Sequence, residues 1–176
     1  MKKYEFTGET KQINLLFRTA TLHRIRAVVE FGLVKIGDLG GWIEKEENLS
    51  HDGKAWVWGN AEVWGNAEVC GDAKVCGDAE VWGNAKVWGN AEVFSASHVL
   101  VIGAIGSRND FTTFFRDKDG EITVKCGCFL GKIDRFLEKV ASTHGNSKYA
   151  LVYRAAVEVA KLQIDLTGEA PEMDEE

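Results

Sequence analysis

Two groups of residues in this 176-residue chain have the types and spacing to do chemistry. Gly106-Ser107-Arg108-Asn109-Asp110, followed by Thr112, Thr113 and Arg116, sets a turn with free backbone N–H groups beside two guanidinium forks. Oriented N–H groups and a planar fork both complement an oxyanion, so this segment suits a phosphate or a carboxylate. Lys125, on a neighbouring strand, can alternate onto the same side, while Asp110 opposes an anion unless it orients Arg108. The plainer reading of the same residues is a solvated polar loop. The second group is Cys126, Cys128 and His144, three zinc-type ligands with weak spacing and no evident fourth. His51 and His98 flank the middle of the chain and read most simply as surface or cap residues. No Gly-x-Ser-x-Gly nucleophile turn or P-loop is present in the sequence. The reading therefore assigns no catalytic residue, no metal and no cofactor.

What must position these residues is a chain with a strongly periodic middle. Seven copies of a six-residue phrase, Gly-[Asn/Asp]-Ala-x-Val-[aromatic/Cys], run from Gly53 to Phe94, with Lys54 at the second position of the first copy. A fixed period marks an array in which each repeat buries its neighbour's face. Ala and Val, two residues apart at 55/57 through 91/93, point inward on a short strand, and the residues between and after them point outward. Gly with Asn or Asp suits a tight corner. A helix cannot use the pattern, because six is a poor match to 3.6 and repeated Gly destabilises helices.

The repeats resemble the hexapeptide-repeat family. That resemblance implies a single-stranded left-handed parallel β-helix with three hexads, hence 18 residues, per triangular coil. On that spacing Trp58, Cys76 and Phe94 stack on one face, Trp64 and Trp82 on the second, Cys70 and Trp88 on the third. Lys74 lies over Glu92 and Glu68 over Lys86, favourable pairs, whereas Glu62 lies over Glu80. The expected fold is mainly β: an N-terminal β cap over 1–37, the β-helix over 38–100, a small α+β domain over 101–166 and an acidic disordered tail over 167–176. In the α+β part, Asp117-Lys118-Asp119-Gly120 signals a hairpin. A helix over Leu130 to Ala141 and a second one beginning near Asn146 or Ser147 follow from helical apolar spacing.

Charge narrows the partners. The net charge is −6, of which Glu169, Glu172, Asp174, Glu175 and Glu176 contribute five, leaving the body at −1. A near-neutral body lacks the basic footprint of a duplex nucleic-acid binder. No long apolar run suggests a membrane span, no signal-peptide core is evident, and the four cysteines read as reduced thiols of a cytoplasmic protein. The outward aromatics Trp58, Trp64, Trp82 and Phe94 must be covered. Flanking segments of the same chain or trimer neighbours would cover them; the hexapeptide resemblance implies a homotrimer.

Leu22-His23-Arg24-Ile25-Arg26-Ala27, Gly37-Asp38-Leu39-Gly40-Gly41-Trp42-Ile43-Glu44 and the hexads also resemble small phage and prophage accessory proteins. So do Ile105-Gly106-Ser107-Arg108-Asn109-Asp110 and Val124-Lys125-Cys126-Gly127-Cys128-Phe129. The resemblance covers about residues 1–165 and implies a counter-defence role in a bacterial host cell. The functional expectation is a non-enzymatic protein that sequesters a small anionic or nucleotide-like immune signal. Ser107, Arg108, Asn109, Arg116 and Lys125 would hold its charge, and Trp88 or Phe111 its base. Two alternatives stay open: a protein inhibitor of a host defence effector such as a CRISPR or other nuclease, and a remote hexapeptide acyl- or nucleotidyltransferase using His51 or His98.

Overall fold

Every Ala and Val of the seven hexads is buried, and each hexad contributes one two-residue strand. We describe residues 1–169 of the chain from a computed structural model; the sequence-predicted acidic tail lies, over 170–176, outside the described residues. The strands are β1 (Tyr4–Asn14), β2 (Thr19–Ala27), β3 (Leu39–Ile43), then the hexad strands β4 (Trp56–Val57), β5 (Glu62–Val63), β6 (Glu68–Val69), β7 (Lys74–Val75), β8 (Glu80–Val81), β9 (Lys86–Val87) and β10 (Glu92–Val93). After them come β11 (Val99–Ile105), β12 (Asp110–Arg116), β13 (Ile122–Cys126), β14 (Phe129–Lys132), α1 (Ile133–His144) and α2 (Lys148–Gln163).

Hexad strands pair in parallel with those three hexads away: Trp56 with Lys74 and Lys74 with Glu92, Glu62 with Glu80, Glu68 with Lys86. The glycine opening each hexad has a positive φ, from 56° at Gly59 to 76° at Gly71, which L side chains resist. Two of the three polar rungs carry opposite charges, Lys74 3.2 Å from Glu92 and Lys86 3.5 Å from Glu68.

The single-stranded left-handed parallel β-helix expected over 38–100 is not seen among the described residues. The hexad strands fall into separate small sheets, β10-β7-β4 and β6-β9, and into the end of a mixed sheet of order β1-β2-β3-β5-β8; no closed or solenoid sheet forms. The reason is in the phrase itself. Four of its six residues go to corners and approaches, leaving two to pair, and seven hexads put at most three strands in one ladder. The antiparallel β1–β2 hairpin and the β11–β14 sheet take over at either end. The mainly β character is retained.

Two cores result. The N-terminal strands and hexads share one, from Tyr4, Ile25 and Ile43 through the Ala and Val rows to Phe115 of β12. The other lies between the β11-β12-β13-β14 sheet and the two helices, around Phe114, Val124, Phe136, Tyr153 and Val157. Adjacent residues of one strand, Phe114 and Phe115, thus serve opposite cores, as period-two alternation requires. Leu130, read as helical from its spacing, lies instead in β14, which pairs with β13 before α1 begins at Ile133. Between them the 117–120 turn closes β12 onto β13, Gly120 N–H donating to the Asp117 carbonyl at 3.0 Å.

Candidate functional site

The two arginines expected to clamp one phosphate are kept apart. Arg108 lies exposed in the β11–β12 turn, beside Ser107 and Asn109, whose φ is 51°. Arg116 ends β12, about 20 Å further along an extended chain. Its guanidinium is buried over the Phe94 ring at 4.8 Å, lies 3.8 Å from Glu92, and donates from Nη2 to the Gly168 carbonyl at 3.3 Å. Arg116 is spent covering an aromatic side chain of its own chain. Phe111 is partly exposed at the start of β12 and packs against Gly103, where an added Cβ would stand 2.5 Å from its ring.

Trp88 and Lys125 do come together, and they bring Lys86. Trp88 follows β9 and points outward. Lys125 is buried on β13, its ammonium 4.0 Å from the centre of the Trp88 ring and hydrogen-bonded to the Gly127 carbonyl. Lys86 Nζ lies 5.8 Å from the same ring, and Lys86 N–H donates to Thr113 Oγ1 at 3.0 Å, which ties β9 to β12. Arg108 Nη1 comes within 3.1 Å of where a Cβ on Gly127 would stand. Burial first, then repulsion from Lys86, pushes the Lys125 ammonium below the usual lysine range. The sequence signal for Lys86 was available: it sits two residues before Trp88, across the inward Val87, hence on the outward side as well.

Trp88 also lines an open cleft of about 510 Å³, with Ser50, His51, Cys70 and the carboxylates of Glu46, Glu47 and Glu68. Ser50 N–H donates to the Val69 carbonyl and Cys70 N–H to the Val87 carbonyl, so Ser50, Cys70 and Trp88 succeed one another on one face. Small side chains over an indole leave the cleft. His51 stacks on Tyr4 with ring centres 4.3 Å apart, and its Nδ1 accepts from Lys3 N–H at 3.2 Å. That acceptor role places the proton of the neutral ring on Nε2, which has no hydrogen-bond partner among the described residues. Burial lowers the His51 pKa against the pull of Glu46, keeping it neutral at pH 7. Cys70 is a poor nucleophile: burial, then Glu68, pushes its thiol up to about 11. Carboxylates line the cleft, Glu68 among them 3.5 Å from Lys86, and the Lys86 and Lys125 ammonium groups lie by the Trp88 ring.

The remaining candidates serve packing. His98 is buried, its Nδ1 accepts from Phe94 N–H at 3.3 Å, and the Phe94 ring meets it edge-on at 4.2 Å. Cys126 accepts from Thr112 Oγ1 at 3.3 Å, whereas His144 stacks on Tyr153 at 5.8 Å. Among the described residues no group of three His, Cys, Asp or Glu is placed to hold a metal ion. Of the aromatics expected at a subunit interface, Trp58 packs edge-on to Trp56, Trp64 is 7% exposed beneath Trp82, and Phe94 lies under Arg116. Trp82 stays 57% exposed. No described helix is long and apolar enough to cross a membrane. No protein-family model matches this chain and no curated protein sequence matches it, so the hexapeptide-repeat likeness rests on the repeat residues alone.

Proposed function

We propose that the chain acts by binding, and that its ligand is a small anionic, nucleotide-like molecule taken up at the Trp88 cleft. The observation that carries this reading is the Lys125 ammonium, 4.0 Å over the ring of Trp88 with Lys86 beside it, where Trp88 itself lines an open cleft of about 510 Å³. Lys125 and Lys86 would meet phosphate oxygens, and the uncovered part of Trp88 would take a planar base. Glu46, Glu47 and Glu68 would accept hydrogen bonds from sugar hydroxyls or base amino groups across the cleft. Arg116, Phe111 and Asn109 have no direct part in this arrangement. Sequestration of an immune signal by a trimeric phage protein is the setting suggested by the family resemblance, and it belongs to the same proposal.

The test is calorimetric titration with a panel of linear and cyclic nucleoside phosphates. Lys125→Met, which keeps the buried stem but removes the charge, is expected to weaken binding about 10- to 100-fold, the loss of one charge-assisted contact. Trp88→Leu is expected to act in the same direction, while Lys118→Ala, an exposed turn residue, should leave affinity unchanged. Equal affinity of the Lys125→Met protein and the parent, with an unchanged melting temperature, would remove this site from the proposal. Failure of the whole panel to bind would remove the nucleotide.

A further inference from the structure

The outward aromatics of the hexad region and its entry are covered in one of two ways, by another indole, as Trp58 is by Trp56 and Trp64 by Trp82, or by a cation, and Trp82 alone is left mostly exposed. Trp42 is reached by Lys11 at 4.6 Å and Arg24 at 5.6 Å, Trp88 by Lys125 at 4.0 Å, and Phe94 by Arg116 at 4.8 Å. Each ring is covered by a basic side chain of the same chain, the arrangement expected from attraction of a cation to the ring face. Trp82 has no such partner among the described residues. One of its faces is stacked on Trp64, ring centres 6.3 Å apart and planes 10° from parallel, and the ring remains 57% exposed. It directly follows the edge strand β8, where the β3-β5-β8 ladder stops.

The charges beside it are exceptional as well. The other polar rungs between hexads join Lys74 to Glu92 and Glu68 to Lys86, but the rung beside Trp82 pairs Glu62 with Glu80. Lys11 neutralises Glu62 at 2.6 Å; Glu80 has no ion pair among the described residues. Glu80 opens β8 and Trp82 directly follows it, so the two flank the inward Val81 and both point outward. An uncovered indole and an unneutralised carboxylate thus adjoin at the open edge of the sheet.

We infer that Trp82 and Glu80 form a docking site for an arginine side chain of a partner polypeptide. A guanidinium can lie flat on the free indole and turn its N–H fork to the Glu80 carboxylate, reproducing from outside what Arg116 does over Phe94 and beside Glu92. Lysine has the charge but not the plane, so it should bind less well. A neutral sugar could stack on the ring but would leave the Glu80 carboxylate without a counter-charge.

The site is tested with a tetra-arginine peptide, followed through the indole N–H resonances of the full-length protein and by calorimetry. The Trp82 resonance is expected to shift most. Trp82→Ala and Glu80→Gln are each expected to weaken binding about threefold to tenfold, and tetra-lysine should bind more weakly than tetra-arginine. Both positions are exposed, so unchanged resonances elsewhere will report an intact fold. Equal affinity of both variants and the parent overturns the inference, as does a Trp82 resonance that responds to methyl glucoside but not to the peptide. Neither variant touches the Trp88 cleft, so this result stands apart from the nucleotide titration.

Discussion

Asp117→Ala is expected to destabilise the protein by about 2–5 kcal/mol, the cost of leaving a buried hydroxyl and two turn N–H groups without their acceptor. Asp117 is fully buried where β12 turns toward β13. Its Oδ2 accepts from Thr123 Oγ1 at 2.6 Å and from the Lys132 ammonium at 2.5 Å, and its Oδ1 from the backbone N–H groups of Asp119 at 3.0 Å and Glu121 at 3.2 Å. The carboxylate thus fixes the turn, while the Asp117 backbone forms a β-bridge to Ala91 of the last hexad. Burial alone would raise its pKa. Lys132, Thr123 and the two N–H groups together outweigh that and hold it below the usual carboxylate range. The sign follows from linkage: stability from this group is complete above the unfolded pKa near 3.9 and is lost as pH falls through the folded value. Asp117→Asn should remain destabilised at pH 7, because an amide NH₂ would replace an acceptor of the Thr123 and Lys132 donors. Its deficit relative to the parent should shrink below about pH 4. Urea unfolding at pH 7 and along an acid series measures both. A deficit that does not change with pH would show that shape, not charge, is what Asp117 supplies.

The hub at Asp117 was visible in the sequence only as a turn. Asp117-Lys118-Asp119-Gly120 announces a hairpin, but that Lys132 returns from β14 to meet the first residue depends on a strand the helical spacing of Leu130 and Ile133 concealed. The Ala and Val rows were legible because period-two alternation leaves them no other direction, and the charge pairs Lys74–Glu92 and Glu68–Lys86 followed from the 18-residue spacing. What the repeats overstated is continuity. A six-residue period specifies which residues face inward, not how many backbone groups pair, and two per hexad give several small sheets instead of one long wound one. At the site, residue type pointed to Arg108, Arg116, Lys125 and Trp88, yet only tertiary placement decides which cation is free. Arg116 and Lys125 both lie on aromatic rings, but Lys125 does so at a cleft and Arg116 beneath Gly168. His51 read as a cap residue, and its cleft arises because Ser50 and Cys70 are small where other outward positions are aromatic.

Glycines that the repeat makes equivalent are expected to differ widely when replaced. Gly53 and Gly59 both open a hexad and both have positive φ, 73° and 56°. An alanine at either position meets the same backbone penalty, about 1–2 kcal/mol for an L residue in the left-handed region. At Gly59 nothing lies within 4 Å of an added Cβ, so that penalty is the whole cost. At Gly53 the Cβ would press into the Gly71 carbonyl oxygen, which accepts from both Lys54 N–H and Ala55 N–H at 2.8 Å. The corner of the next hexad must shift, or two backbone hydrogen bonds must lengthen, adding about 1–3 kcal/mol of overpacking. Gly53→Ala is therefore expected to cost about 2–5 kcal/mol against about 1–2 for Gly59→Ala. Chemical denaturation of the two variants decides it. Equal losses would mean the hexad corners are loose enough to part, and the close approach between successive hexads would then contribute nothing to holding the array in register. A larger loss at Gly53 would place the constraint in the contact between hexads, where residue type alone cannot show it, since Gly occupies both positions for the same local reason and only one of them is also needed for space.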